Sequence, residues 1–167
     1  MSVKEKIKKC LMEGEKGGER HKGLKKIQIS PEKVANHVKK AIHNFRAITI
    51  FRESGFSDWS ASAGFYALYH LLLAIIAKEG YESRNQSCTF ALIEKMVDEK
   101  KITLNKEELK EIFDRDVTKN LENSDKILDL RESCQYSTKT ILKKEEFLEL
   151  KQRIKKLFDK LRKEVEK

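Results

Sequence analysis

The strongest pattern in the chain is a nearly continuous apolar stretch at residues 57–80. A helix that is apolar on so many sides must be covered by neighbouring elements over most of its surface. Its length, and its interruption by Tyr and His, exclude a bilayer span. The apolar side chains form two adjacent helical seams: Phe65, Tyr69, Leu72 and Ile76 in one, and Trp59, Ala63, Tyr66, His70, Leu73 and Ala77 in the other.

The polar residues that flank this stretch predict where the helix begins and ends. Ser57 or Asp58 offers a side-chain oxygen that can cap the first turn. Gly80 stands where a left-handed residue commonly follows the last turn. We therefore predict that residues 57–80 contain the central helix of a helical bundle.

Helical spacing of apolar residues recurs on both sides of the central stretch. Ser30 followed by Pro31 favours a helix start, since serine caps and proline at the first position needs no amide partner. This helix continues to Gly55, and the short connection predicts antiparallel packing on the central helix. Asn105 begins a capping box for a further short helix. The remaining predicted helices cover residues 3–12, 89–100, 117–137 and 143–166. The pattern does not define the exact position of the break near Asp116, between the helix that begins at Asn105 and the next one.

These patterns predict an all-α fold, since strand-like alternation is lacking. The expected architecture is an up-and-down antiparallel helical bundle of four to five main helices with short peripheral helices. Residues 13–26 hold four glycines among charged residues and no apolar period, which predicts a mobile basic loop. We therefore divide the chain into residues 1–29, a basic N-terminal helix and mobile loop, and residues 30–167, a single helical domain.

The composition favours a soluble helical protein. Charged residues make up 38% and hydrophobic residues 39% of the 167 residues, with a single proline. The N-terminal residues show no export signal, so we expect a cytoplasmic protein with no membrane contact. The three cysteines, Cys10, Cys88 and Cys134, lack metal-ligand spacing, which favours free thiols in a reducing compartment. No metal site and no cofactor are expected.

The net charge is +9, and its excess is concentrated near the N-terminus. Such an excess attracts an anionic partner over a long range, and RNA is the obvious candidate. The alternative is a lysine-rich surface that only keeps the protein soluble. Charge alone leaves both interpretations open.

His70 is the first candidate for chemistry, because it interrupts a nearly all-apolar helix. Burying an imidazole is costly unless its nitrogens find partners. The plainer alternative is a neutral core histidine with hydrogen-bond partners, and the sequence favours it over a catalytic role.

The second candidate is the segment 130–136, late in an amphipathic helix. Arg131 and Gln135 lie one turn apart and share a face, with Tyr136 near the helix end. Arginine matches phosphate geometry through two parallel hydrogen bonds, and tyrosine would present a hydroxyl. The alternative is an Arg131 paired with Glu132 or Asp58, with Tyr136 closing the core.

Three stretches in this order resemble the HEPN family, the higher eukaryotes and prokaryotes nucleotide-binding domain. The resemblance covers residues 34–165 and is strongest to small stand-alone prokaryotic members. Its pieces are the end of a long helix in Gly-Phe-Ser-Asp-Trp-Ser at 55–60, Ala-Gly-Phe-Tyr-Ala-Leu-Tyr-His at 63–70, and Leu-Arg-Glu-Ser-Cys-Gln-Tyr at 130–136.

The resemblance implies an up-and-down helical bundle that forms a homodimer. It also implies a toxin-like component paired with a minimal nucleotidyltransferase protein. Active members of the family cleave RNA without metal through an Arg-x(4–6)-His motif, in which the histidine is acid or base and the arginine stabilises phosphate charge.

This chain departs from that motif. Residues 132–137 contain no histidine, and Tyr136 stands where the nuclease motif has one. Tyrosine has an ordinary pKa near 10, which makes it a poor base at neutral pH. By analogy with modified family members, the resemblance also implies that Tyr136 is a target of adenylylation by the partner transferase.

We therefore expect nucleotide or RNA binding through Arg131, Gln135, Tyr66 and Arg84. Any catalysis would fall to Arg131 and Tyr136, with His70 in support. The alternatives are a metal-independent endoribonuclease and a non-catalytic helical dimerisation module.

Overall fold

The computed structural model describes residues 1–113 and 127–167, and these ranges form an all-α fold with one two-stranded sheet. The predicted fold class is confirmed, whereas the two short strands were not predicted. The helices are α1 (Val3–Lys16), α2 (Pro31–Glu53), α3 (Ser60–Lys78), α4 (Gln86–Asp98), α5 (Lys106–Ile112), α6 (Ile127–Tyr136) and α7 (Lys144–Glu166). The strands are β1 (Leu24–Lys26) and β2 (Tyr81–Ser83), and 3₁₀ turns cover Gly18–Arg20 and Ser57–Trp59.

Helix α3 is the centre of the bundle, and nearly all of its side chains are buried. Helices α2, α4, α6 and α7 pack around it. It is the one helix in the described ranges that is long and apolar enough to cross a membrane, but 89% of its most apolar window is buried inside the protein. Its apolar character therefore serves the core, as the sequence predicts.

The start of α3 differs from the predicted cap. A 3₁₀ turn precedes the helix, and neither Ser57 nor Asp58 caps it through a side chain. The Ser57 hydroxyl instead accepts a hydrogen bond at 2.8 Å from the backbone N–H of Leu142, just before α7. The Ser60 hydroxyl donates to the Ile48 carbonyl of α2 at 2.7 Å. Both hydroxyls thus tie α3 to its neighbours rather than capping it.

Most other predicted helix ends are confirmed because local side chains determine them. The Ser30 hydroxyl caps α2, with Pro31 in the first position, and Asn105 forms the predicted capping box at α5. Gly80 has a φ of 80°, the left-handed conformation expected after α3. Asn85 caps α4, which begins at Gln86, three residues before the predicted start. The predicted helix over residues 117–137 is seen from residue 127 onwards; its earlier part and the break near Asp116 lie outside the described residues.

The prediction that residues 13–26 form a mobile basic loop is wrong, because helix and strand occupy the two ends of this range. Helix α1 extends to Lys16, and β1 then pairs antiparallel with β2, with Leu24 opposite Ser83. A Cβ atom at Gly14 would lie 1.7 Å from the Leu24 carbonyl oxygen, so only glycine permits this close approach. His21 is only 2% exposed. The glycines therefore allow close backbone packing, and the proposed division at residue 30 stays a prediction.

The prediction of three free cysteines is also wrong. Cys10 of α1 and Cys88 of α4 form a disulfide, whereas Cys134 is a buried free thiol. The partners are 78 residues apart in sequence. Spacing along the chain could not reveal this pairing, because only the packing of α1 on α4 brings the two thiols together.

Candidate anion-binding site

Helix α6 runs antiparallel to α3 and brings Arg131 against two aromatic rings. Arg131 is 9% exposed. Its guanidinium carbon lies 4.6 Å from the ring centre of Phe65 and 5.4 Å from that of Tyr66. A guanidinium against aromatic rings gains cation–π attraction, which offsets part of the cost of burying its charge.

The polar contacts of Arg131 use only part of its guanidinium. Nη1 donates a hydrogen bond at 3.0 Å to the Tyr66 hydroxyl. Nη2 lies 3.8 Å from Glu132 Oε1, the outer limit of an ion pair. Nε is buried and has no hydrogen-bond partner in the described residues. The site therefore holds a positive charge with one unsatisfied donor and a weak counterion.

Gln135 lies one turn beyond Arg131 and also reaches α3. Its amide nitrogen donates to the Ser62 hydroxyl at 3.1 Å. Two residues of α6 thus face two residues of α3 at matching one-turn spacing, as the predicted shared face requires. Tyr136 follows with 86% of its surface exposed. The alternative in which Tyr136 closes the core is therefore wrong.

His70 forms its hydrogen bond with α2 rather than with α6, the helix that carries Arg131. Its Nδ1 lies 3.2 Å from Nδ1 of His37 on α2, so one of these two nitrogens carries the proton. Burial, followed by the nearby His37 and Lys40, lowers the pKa of His70 to about 4. His70 is therefore neutral at pH 7 and fits the core-histidine alternative.

Tyr69 likewise turns away from Arg131. Its hydroxyl shares a hydrogen bond with Thr89 of α4 at 3.0 Å, and its pKa is raised mainly by burial. Of the polar side chains in this part of α3, Tyr66 bonds to Arg131, whereas Tyr69 and His70 bond to α4 and α2.

Arg84 belongs to a second polar cluster, between the sheet and α2. Its Nε lies 3.6 Å from Glu82 Oε1, and its backbone N–H donates to Gly23. Glu82 also contacts Lys33 and the buried His21. The hydrogen bond from His21 is the largest cause that lowers the pKa of Glu82. The structure thus pairs Arg84 with this cluster rather than with Arg131.

Sequence reasoning missed Phe65 and Ser62 as neighbours of the site. The available signal was the matching i, i+4 spacing of Ser62 with Tyr66 and of Arg131 with Gln135, which antiparallel packing aligns. Within residues 1–113 and 127–167, no group of three or more His, Cys, Asp or Glu side chains has metal-binding geometry.

Comparison with known proteins supports the same family that the motifs indicate. The family model of the HEPN domain matches residues 34–164, which is most of the chain. No curated protein matches it. The matched range includes α3 and α6, which together carry the Arg131 site. The chain belongs to the HEPN domain family.

Proposed function

We propose that this protein binds RNA or a nucleotide through its phosphate groups at Arg131. The observation that carries this proposal is a buried Arg131 Nε without a hydrogen-bond partner in residues 1–113 and 127–167, with the counterion Glu132 at 3.8 Å from Nη2. A buried donor without a partner costs free energy that a bound acceptor would recover. Membership of the HEPN family supports a nucleotide- or RNA-related function.

The part of the guanidinium that forms no hydrogen bond with the described residues has the geometry to bind a phosphate. Because Tyr66 occupies Nη1, the edge formed by Nε and Nη2 remains for two parallel hydrogen bonds to phosphate oxygens. Since Nε is buried, the Arg131 side chain must rotate outward before both bonds can form. Arg131 would then lose contacts with the Phe65 and Tyr66 rings. In return it would gain two charge-assisted hydrogen bonds to a phosphate, whose negative charge would neutralise the guanidinium.

Binding is better supported than cleavage. The described partners of Arg131 are Tyr66, Phe65 and Glu132, and none of them is a histidine. His70 is bonded to His37. A metal-independent endoribonuclease would need an acid–base group beside the phosphate, and the exposed Tyr136 is a weak candidate for it.

We also propose a toxin-like role for the protein, in a pair with a minimal nucleotidyltransferase. The exposure of Tyr136 supports its access to such an enzyme. Tyr136 Oη would attack the α-phosphorus of ATP, forming an oxygen–phosphorus bond. Pyrophosphate would leave, and the phenol proton would pass to a base of the transferase. The modification would place a bulky anion five residues from Arg131, at the end of α6.

A homodimer and a cytoplasmic location complete the proposal. The cytoplasm supplies both RNA and ATP. The Cys10–Cys88 disulfide is the feature that argues against this compartment, since structural disulfides are rare in reducing surroundings outside hyperthermophiles.

Fluorescence anisotropy with labelled single-stranded RNA tests the binding proposal. We expect Arg131→Gln to weaken binding about tenfold and to reduce the salt slope by about one. Arg162→Gln is the matched control, because it removes one partly exposed arginine near the opposite end of α3. It should leave the affinity nearly unchanged.

The same samples separate the competing functions. Equal affinities of wild type and Arg131→Gln, or an affinity that is insensitive to salt, would contradict phosphate binding at this site. RNA cleavage that disappears in Arg131→Gln would instead establish the endoribonuclease. A protein that neither binds nor cleaves RNA or nucleotides would fit the dimerisation module.

A further inference from the structure

A groove of about 380 Å³ lies between α1 and α4, apart from the Arg131 site. Its floor is apolar and consists of Ile7, Leu11 and Met12. Ile7 is buried in the core, whereas Met12 is 48% exposed. All three apolar residues belong to α1, and α4 contributes Lys95 to the opposite side. An apolar strip along one helix, beside a neighbouring helix, is the kind of surface on which a further helix packs.

The rim of the groove is basic. Lys4 and Lys8 of α1 and Lys95 of α4 line it, with Glu15 at one end. Within residues 1–113 and 127–167, Lys4 and Lys8 form no ion pair, and Lys95 has only an exposed contact with Glu99 at 3.7 Å. Three lysines therefore face the groove with little compensation.

The groove is held in a fixed shape. The Cys10–Cys88 disulfide joins its two walls directly. The close approach of Gly14 to Leu24 fixes the other side of α1 against β1. Helix α1 also lies before the range matched by the HEPN model, so the groove is built on an addition to the family domain.

We propose that this groove docks an acidic amphipathic helix of a partner protein. The apolar floor would take the partner's apolar stripe, and the lysine rim would pair with glutamates or aspartates on both sides of it. From Lys4 to Glu15 the groove runs about 16 Å along α1, which is the length of three helical turns. A second copy of this face would bring lysines against lysines, so charge disfavours self-association there.

A phage-displayed library of 16-residue peptides, selected on the oxidised full-length chain, is the probe. The expected enriched sequences carry apolar residues at helical spacing with Asp or Glu beside them. A synthetic peptide of the enriched sequence should bind Met12→Glu about tenfold more weakly than wild type. Leu148→Glu is the matched control, since Leu148 is similarly exposed, at 51%, on α7.

Charge reversal distinguishes direct pairing from a general effect on the fold. Lys8→Glu should weaken the peptide about fivefold, and a peptide with one acidic residue changed to lysine should recover that loss. Lys163→Glu, an exposed reversal on α7, should leave peptide binding unchanged. Rescue by the reversed peptide is a result that a merely damaged fold cannot give.

Three results would overturn the proposal. The first is a lack of specific recognition: the selected peptides show no enrichment in acidic residues, or the synthetic peptide binds wild type and Met12→Glu equally. The second is sedimentation showing that Met12→Glu converts a dimer to a monomer, which would make a second copy the occupant. The third is RNA affinity that falls more in Lys8→Glu than in Arg131→Gln, which would make the groove a nucleic-acid surface.

Discussion

Arg131 is stabilised by its neighbours in the structure and also keeps hydrogen-bonding capacity for a ligand. Two aromatic rings and the Tyr66 hydroxyl stabilise it in a buried position, while Nε has no hydrogen-bond partner among the residues that the structure describes. A fully satisfied arginine would be purely structural, and a fully exposed one would be an ordinary surface charge. This intermediate state is what makes Arg131 a credible phosphate ligand.

Tyr66→Phe tests how far the hydroxyl stabilises that position. The variant keeps the ring but leaves Arg131 Nη1 without its bond, so we expect a loss of about 1–2 kcal/mol in the free energy of unfolding. Urea unfolding measures it. Tyr136→Phe removes a hydroxyl from an exposed ring and should change stability by less than about 0.5 kcal/mol. Equal stabilities of the two variants would show that the Tyr66 hydroxyl contributes little.

The His37–His70 pair predicts an acid-dependent loss of stability. In the unfolded chain His70 takes up a proton below pH about 6.5, whereas in the folded protein its pKa is about 4. The unfolded state therefore binds more protons between these values, so stability falls as pH falls from 6.5 towards 4.

Urea unfolding across that pH range should show a shallower decline in His70→Gln than in wild type. His43→Gln, an exposed change on α2, should keep the wild-type dependence. A wild-type pH profile in His70→Gln would mean that other groups cause the acid sensitivity.

At the scale of elements, the N-terminal segment packs as part of the protein rather than as a loose extension. Helix α1 is bonded to α4 through the disulfide, and β1 is paired with β2. Gly14 permits the closest backbone contact of this arrangement, between α1 and Leu24.

Gly14→Ala should detach β1 from its place, since the added methyl group meets backbone rather than a movable side-chain end. The expected cost is about 1–3 kcal/mol. Hydrogen exchange should then show faster exchange at the amides of β1 and β2 than in wild type. Lys16→Ala, on the exposed end of α1, provides the comparison. Unchanged protection in Gly14→Ala would show that the contact tolerates the methyl group.

The sequence predicted those elements whose signals are local. Ser30 and Asn105 cap the helices that they precede, and the periodicity of α7 marks its apolar stripe without help from the rest of the chain. The sheet, the disulfide and the role of Ser57 depend on contacts across long separations. No window of sequence contains that information.

The candidate site also has some features that local sequence predicts and others that depend on packing between distant segments. Spacing on α6 placed Arg131 and Gln135 on one face, and the family motifs indicated Tyr66 as a neighbour. The partner of His70 could not be predicted, because it depends on the rotation of α2 about its own axis. The exposure of Tyr136 depends likewise on where α6 ends against the bundle.

At the scale of the whole molecule, α3 supports two surfaces with different chemistry. Its N-terminal half carries Arg131 on α6. The strand that follows its C-terminal end pairs with β1, which helps to hold the α1–α4 groove. RNA and a partner helix would therefore bind independently, so Arg131→Gln should leave peptide binding intact and Met12→Glu should leave RNA binding intact.

The most direct test of the central claim observes the Arg131 Nε–H itself. In ¹H–¹⁵N spectra of arginine side chains, this signal is identified by its loss in Arg131→Lys. We expect its proton resonance to shift as single-stranded RNA is added, with the same dissociation constant as the anisotropy titration, because a phosphate oxygen then accepts the bond. A signal that stays in place while the protein is saturated with RNA would show that no phosphate binds at Arg131 Nε.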